Sequence, residues 1–180
     1  MAGIGVTRVV NRCEQAKESK RLDLSECELV HVPDAVFMLM RNAALEVEVC
    51  NLSANVLRRL PAKLAIKFSN LTDLNLSSNH LSSLPDELRQ VSGLATLDIS
   101  HNEFDVVPPV VYRFDALRKF NAEKNRIKEV NINRLKAISS LSEVNFQDNP
   151  LSDDVHNQLQ EITVVSVLLT PRDAELDAVD

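Results

Sequence analysis

Histidines, cysteines and paired carboxylates are the residues from which metal binding, nucleophilic attack or hydrolysis would be built. The chain has four histidines, His31, His80, His101 and His156, and three cysteines, Cys13, Cys27 and Cys50. No C-x-x-C, H-E-x-x-H or G-x-S-x-G occurs, no Cys–His pairing appears, and the thiols and imidazoles fall at no metal-ligand spacing. Gly3 and Gly5 form a lone G-x-G with no third glycine and no strand before it, so no phosphate cradle is expected. Asp73 and Asp98 fall on an open, wet groove rather than in a water-excluding pocket. No catalytic residue, metal or cofactor is therefore expected, and the cysteines read as reduced thiols. The chemistry the chain does repeat is that of the primary amide. Asn55, Asn79, Asn102, Asn125 and Asn149 follow one another at separations of 24, 23, 23 and 24, and Cys27 lies 28 residues before the first. An asparagine side chain both donates and accepts, so at a sharp turn it satisfies backbone groups that no ladder reaches.

The elements that hold these asparagines repeat with them. The segments LTDLNLSSNHLSSLP from Leu71 and LATLDISHNEFDVVP from Leu94 share the pattern L-x-x-L-x-L-x-x-N-x-L-x-x-L-P. It recurs upstream through Val47, Cys50, Leu52, Leu57, Leu60 and Pro61, and downstream through Leu117, Phe120, Ala122, Ile127 and Val130. A first copy runs through Leu22, Leu24, Leu29, Val32 and Pro33, with Cys27 where asparagine belongs; a sixth runs through Leu141, Val144, Phe146 and Leu151. Apolar residues at period two predict a short strand with one buried face. Proline ends that side, and segments such as PDELRQVSGL return along the other with Leu88 and Val91 pointing inward. One such unit cannot bury its own apolar face, so stacked neighbours supply the core. The repeat thus explains the 25 leucines and part of the 15 asparagines.

This pattern resembles the leucine-rich repeat over about 130 of the 180 residues. Its L-P-x-x units of about 23 residues resemble the intracellular Ras-suppressor and Scribble type, and the cysteine-rich caps of extracellular members are absent. The resemblance implies an α/β solenoid, a short horseshoe with a parallel sheet on its concave side, and a role in protein–protein interaction. Residues 1–20 are expected to form an N-terminal capping helix, residues 21–170 about six repeats plus a degenerate C-terminal cap, and residues 171–180 an acidic flexible tail. Ile4, Val6, Val9, Val10, Cys13 and Ala16 lie on one face of the capping helix, with Arg8, Arg12, Glu14 and Lys17 elsewhere. Ser152-Asp153-Asp154 reads as a helix start, and residues 162–169 as a closing strand, a degenerate seventh rung. The wide first spacing predicts a helix within residues 34–46 capped by Asp34. Val36–Met40 are apolar in succession, too many for one face, so at least one should be exposed and could form a docking patch.

Between the buried positions, variable residues should line up across the strands. A middle column reads Asp23, Asn51, Asn75, Asp98, Asn121 and Asn145; its uniformity is common at this position in the family, so specificity is expected beside it. One flanking column reads Arg21, Val49, Asp73, Thr96, Lys119 and Glu143, the other Glu26, Ala54, Ser78, His101, Lys124 and Asp148. The expected partner-binding residues are Asp73, Asn75, Thr96, Asp98, His101, Lys119, Asn121, Lys124 and Glu143. The fifth repeat is locally basic (Arg113, Arg118, Lys119, Lys124, Arg126 and Lys128), but Asp115, Glu123 and Glu129 interrupt it. With 20 Lys and Arg against 26 Asp and Glu, direct nucleic-acid binding is not expected. No apolar run is long enough for a membrane span or a secretory h-region, which points to a cytoplasmic or nuclear monomer with a protein partner. The expected function is a non-catalytic adaptor or scaffold, with a constitutive structural subunit of a ribonucleoprotein or motor complex as the alternative.

Overall fold

The computed structural model describes residues 2–172, with side chains from residue 7 onward. Most of the expected tail, from residue 173, and the side chains of Ile4 and Val6 lie outside the described residues. Helix α1 (Ala2–Ser19) leads into seven three-residue strands: β1 (Arg21–Asp23), β2 (Val49–Asn51), β3 (Asp73–Asn75), β4 (Thr96–Asp98), β5 (Lys119–Asn121), β6 (Glu143–Asn145) and β7 (Ser166–Leu168). They form one parallel sheet in chain order, so each repeat pairs only with its neighbours. The returns carry α2 (Asp34–Leu39), α3 (Ala62–Lys67), α4 (Ile132–Lys136), α5 (Asp153–Gln160) and single turns of 3-10 helix.

The register follows from the period-two pattern. Leu22, Cys50, Leu74, Leu97, Phe120, Val144 and Val167 are aligned across the sheet, and the first six are buried. Leu24, Leu52, Leu76, Ile99, Ala122 and Phe146 form a second buried row two residues on. Burying each large side chain contributes roughly 1.5–3 kcal/mol, and the stacking of rungs provides that burial. Pro33, Pro61 and Pro85 hold the N-cap positions of their returns at φ −65°, −72° and −70°. In the fifth repeat Asn131 takes that place, and its side chain accepts from the Arg134 N–H at 3.0 Å.

The asparagines form one continuous ladder. Each Nδ2 donates to the carbonyl three residues back and to the equivalent carbonyl of the preceding rung. Leu52 O thus accepts from Asn55 and Asn79, Leu76 O from Asn79 and Asn102, Ile99 O from Asn102 and Asn125, and Ala122 O from Asn125 and Asn149. Each Oδ1 accepts a backbone N–H of the preceding rung: Leu57, Leu81, Phe104 and Ile127 for the last four, Cys27 and Leu29 for Asn55. Cys27 belongs to the first rung and has no earlier rung to tie, which is why a thiol suffices there.

The free end of the ladder is met by α1. Arg12 Nη1 donates to Ser25 O, to Asp23 O at 3.3 Å and to Cys27 Sγ at 3.5 Å, while Arg8 Nη1 donates to Glu26 O at 2.6 Å. Ser25 O is the counterpart of Ser53 O, which accepts from the Asn55 amide in the next rung. A guanidinium thus stands where the missing asparagine amide would donate. The sequence had set Arg8 and Arg12 apart from the packed face; the structure turns them onto the first turn. Val9, Cys13 and Ala16 are buried beneath them, and α1 packs on β1 and α2. Arg12→Ala should cost about 1–2 kcal/mol. Hydrogen exchange should speed up in α1 and β1 and stay unchanged in β4–β6; equal acceleration everywhere would refute this end-capping role.

The residue before each key position, Glu26, Ala54, Ser78, His101, Lys124 and Asp148, is left-handed, with φ between 51° and 55°. Glycine normally fills such positions, yet here none is used. Ala54 is exposed and has no polar side chain to compensate. Ala54→Gly should therefore stabilise the fold by about 0.5–1 kcal/mol, read as a higher urea midpoint at unchanged slope.

Three expectations need correction. The helix proposed within residues 34–46 stops at Leu39, Pro33 rather than Asp34 is its N-cap, and Asp34 instead bonds Lys63 Nζ at 2.7 Å. Val36, Phe37, Met40 and Ala44 all turn inward across the break between this helix and the following 3-10 turn. Phe37 is therefore core, and of the 36–40 run Met38, 75% exposed, is the outward residue. The closing strand is paired only over Ser166–Leu168, with Ile162 and Val165 buried before it. The helix start at Ser152 is as expected, its side chain accepting from the Val155 N–H at 3.4 Å. All three cysteines are free and buried; burial pushes the Cys13 thiol up to about 11 and the Cys50 thiol up to about 12.

Candidate protein-binding face

The middle column of the sheet face is spent on structure. In every rung from β1 to β6 its Asn or Asp Oδ1 accepts the backbone N–H two residues on: Asp23 from Ser25, Asn51 from Ser53, Asn75 from Ser77, Asp98 from Ser100, Asn121 from Glu123 and Asn145 from Gln147, at 2.8–3.1 Å. These turns lead the chain out of each strand toward the left-handed residue. Burial pushes the Asp23 carboxyl up, but the Ser25 hydroxyl and N–H outweigh it and hold the group below its ordinary value. Asn121 Nδ2 also donates to Asp98 Oδ2 at 3.1 Å, and Asn145 Nδ2 to Glu123 Oε2 at 3.2 Å. Asn75, Asp98 and Asn121 therefore offer a partner less than their polarity suggests.

The flanking column is the freer one. Arg21, Val49, Asp73, Thr96, Lys119 and Glu143 lie directly beside one another in register, continued by Ser166. Lys119 Nζ lies 3.8 Å from Glu143 Oε2, and Asp73 Oδ2 accepts from Thr72 Oγ1 at 2.7 Å. Two shallow hollows cross this column, one from Arg21 to Asp98 and one from Thr96 to Leu168.

His101 and Lys124 are not on the strands. They sit in the left-handed turn beyond them, exposed, so the structure separates these two from the other seven expected residues. Lys124 approaches Asp148 at 3.9 Å. The basic fifth repeat is likewise paired across rungs: Lys119 with Glu143, Lys124 with Asp148 and Arg126 with Glu103 at 3.2 Å. One linkage was not singled out from the sequence. His80 Nδ1 meets Glu103 Oε1 at 2.9 Å while Arg126 meets the other oxygen, joining three rungs past the asparagine turn. The His80 contact, aided by Arg126, holds the Glu103 carboxyl below its ordinary value. The signal was present, since His80, Glu103 and Arg126 each follow a key asparagine by one residue.

A single parallel sheet, one strand per repeat, stitched at five successive turns by an asparagine, defines a leucine-rich repeat solenoid. The leucine rich repeat family model matches residues 46–104. The chain is 32% identical to leucine-rich repeat-containing protein 20 of Mus musculus across 95% of this chain and 94% of that protein. The chain belongs to the leucine-rich repeat proteins. Its match to the protein of the same name from Homo sapiens is 34% identical over 51% of each chain. Among solved structures, a leucine-rich repeat protein of Leptospira interrogans shares the fold, with a TM-score of 0.64 at 20% identity, covering 78% of this chain and 34% of that one. No helix among the described residues is long and apolar enough to cross a membrane, and no cluster there could hold a metal ion.

Proposed function

We propose that the chain is a non-catalytic interaction module, an adaptor or scaffold that binds a protein partner on the open sheet face. The observation that carries this reading is the division of labour on that face. The middle column is committed to turns and is nearly uniform, while the column beside it varies from rung to rung in charge and shape. Such variation on rigid strands selects a partner by complementarity rather than by a pocket. Asp73, Thr96, Lys119 and Glu143 are the residues expected to discriminate. Seven rungs at about 4.8 Å spacing give a face large enough for roughly 800 Å² of contact per partner.

The test is affinity capture with wild type beside Asp73→Lys combined with Lys119→Glu, two changes that leave the asparagine ladder and the turn bonds intact. Met38→Lys, on the opposite side, is the control. Partners should be lost with the double variant and kept with Met38→Lys. Retention of every partner by the double variant would overturn the reading.

A further inference from the structure

The two ends of the solenoid differ. At the first rung α1 packs on β1. At the last, β7 ends the strand order and its outer edge pairs with no other strand among the described residues. Ser166 N donates to Ser142 O and Phe146 N donates to Leu168 O, both at 2.9 Å, so residues 166 and 168 turn their backbone groups toward β6. By alternation Val167 turns its N–H and C=O to the open edge. The core is also thin here. Val144 and Phe146 are 0% and 1% exposed, whereas their last-rung counterparts Val167 and Leu169 are only partly buried. A hollow of about 380 Å³ opens between α5 and β7, lined by Leu159, Ile162, Val167 and Leu169. Val164 and Leu168 are exposed beside it.

An open edge of this kind is normally blunted by charge, proline or a covering element. Residues 163–170, TVVSVLLT, contain no charged residue and no proline. We propose that this edge pairs with the same edge of a second copy, related by a two-fold axis through Val167. The register is self-complementary. Val167 meets its own copy with both backbone groups facing, Val165 meets Leu169, and Ser166 meets Leu168. Apolar core residues thus oppose apolar core residues, and no like charges meet along the strand. The pairing would join two seven-stranded sheets into one continuous face and present the variable column twice. It departs from the monomer suggested by the sequence and stands independently of the partner-binding reading.

The experiment is sedimentation velocity on the full chain across a concentration series, with three variants. Wild type should show a reversible monomer–dimer equilibrium. Ser166→Lys with Leu168→Lys changes two exposed side chains and sets lysine opposite lysine twice, so it should weaken dimerisation by roughly tenfold or more. Val167→Pro removes the N–H that faces the open edge, trims a half-buried apolar side chain, and should do the same while the bonds of residues 166 and 168 to β6 remain. Monomeric wild type at every concentration would overturn the proposal. So would a dimer that survives both sets of changes, which would place the contact elsewhere, and so would self-association seen only after truncation at residue 172, which would assign the edge to the chain's own last residues. Unchanged circular dichroism in the lysine variant keeps loss of pairing distinct from loss of fold.

Discussion

Asn102→Ala should destabilise the protein by about 3–5 kcal/mol, a large fraction of the 5–15 kcal/mol available to a domain of this kind. The residue is 8% exposed and makes four hydrogen bonds: Nδ2 to Leu76 O, Ile99 O and Ser100 O at 2.9–3.1 Å, and Oδ1 from the Leu81 N–H at 2.9 Å. The three carbonyls each retain a second donor, from the Asn79 amide, the Asn125 amide and the Ser78 N–H. Among the described residues the Leu81 N–H has no other acceptor, and stranding it in the core is the largest single cost. The remainder is the loss of coupling between the third and fourth rungs. Urea denaturation reads the total, and a loss below about 1 kcal/mol would mean that apolar stacking alone holds the turns. Asn102→Asp separates donor from acceptor. It keeps the acceptor for Leu81 but sets a carboxylate against three carbonyl oxygens, so its folded-state pKa should be raised. Stability relative to wild type should then be best below the unfolded carboxyl pKa of about 3.9 and fall as pH rises through the folded value.

The contrast with Cys27 explains what was and was not legible in the sequence. The period of the asparagines and the period-two leucines specify the rungs, because both are local patterns with a single packing solution. Strand register, the order of the sheet and the buried rows follow from them with no further information. The substitution of cysteine in the first copy was visible, but its replacement by Arg12 was not. That pairing joins residues 13 to 15 positions apart through a helix that packs across the end of the sheet, and no sequence period records it. The left-handed turn of the second column was not legible for a related reason. Glu26, Ala54, Ser78, His101, Lys124 and Asp148 look like one more set of variable surface residues, and only backbone torsion shows that they belong to a turn. Of the expected binding residues, those on strands were placed by the two-residue alternation itself. His101 and Lys124 lie one residue before the asparagine, where alternation no longer holds. The return segments were read least well, since short apolar runs there satisfy helix and turn equally and the distance to the next strand decides between them.

Phe120→Ala should be about as costly, roughly 3–5 kcal/mol, but its signature should differ. Phe120 is the largest residue in the central buried row, where its counterparts are leucine, valine or cysteine. It is 2% exposed and packs edge-on against Phe146 of the next rung, with ring centroids 6.1 Å apart and planes at 82°. Truncation removes the ring and the contact together, and the three-residue strands around it have little freedom to close the gap. In a solenoid each rung is stabilised by its two neighbours, so a defect at β5 weakens the link between β1–β4 and β6–β7. The last rung has the thinner core and the open edge, so β7, and β6 with it, should open first. Hydrogen exchange should show amides of Glu143–Asn145 and Ser166–Leu168 losing protection by orders of magnitude more than those of Asp73–Asn75, and denaturation should broaden into two steps. A single sharp transition with protection lowered equally along the chain would show that the seven rungs fold as one cooperative unit instead. With β6 and β7 open, edge pairing at Val167 should also disappear while the face over β2–β4 persists, so the variant separates what the end of the solenoid does from what its middle does.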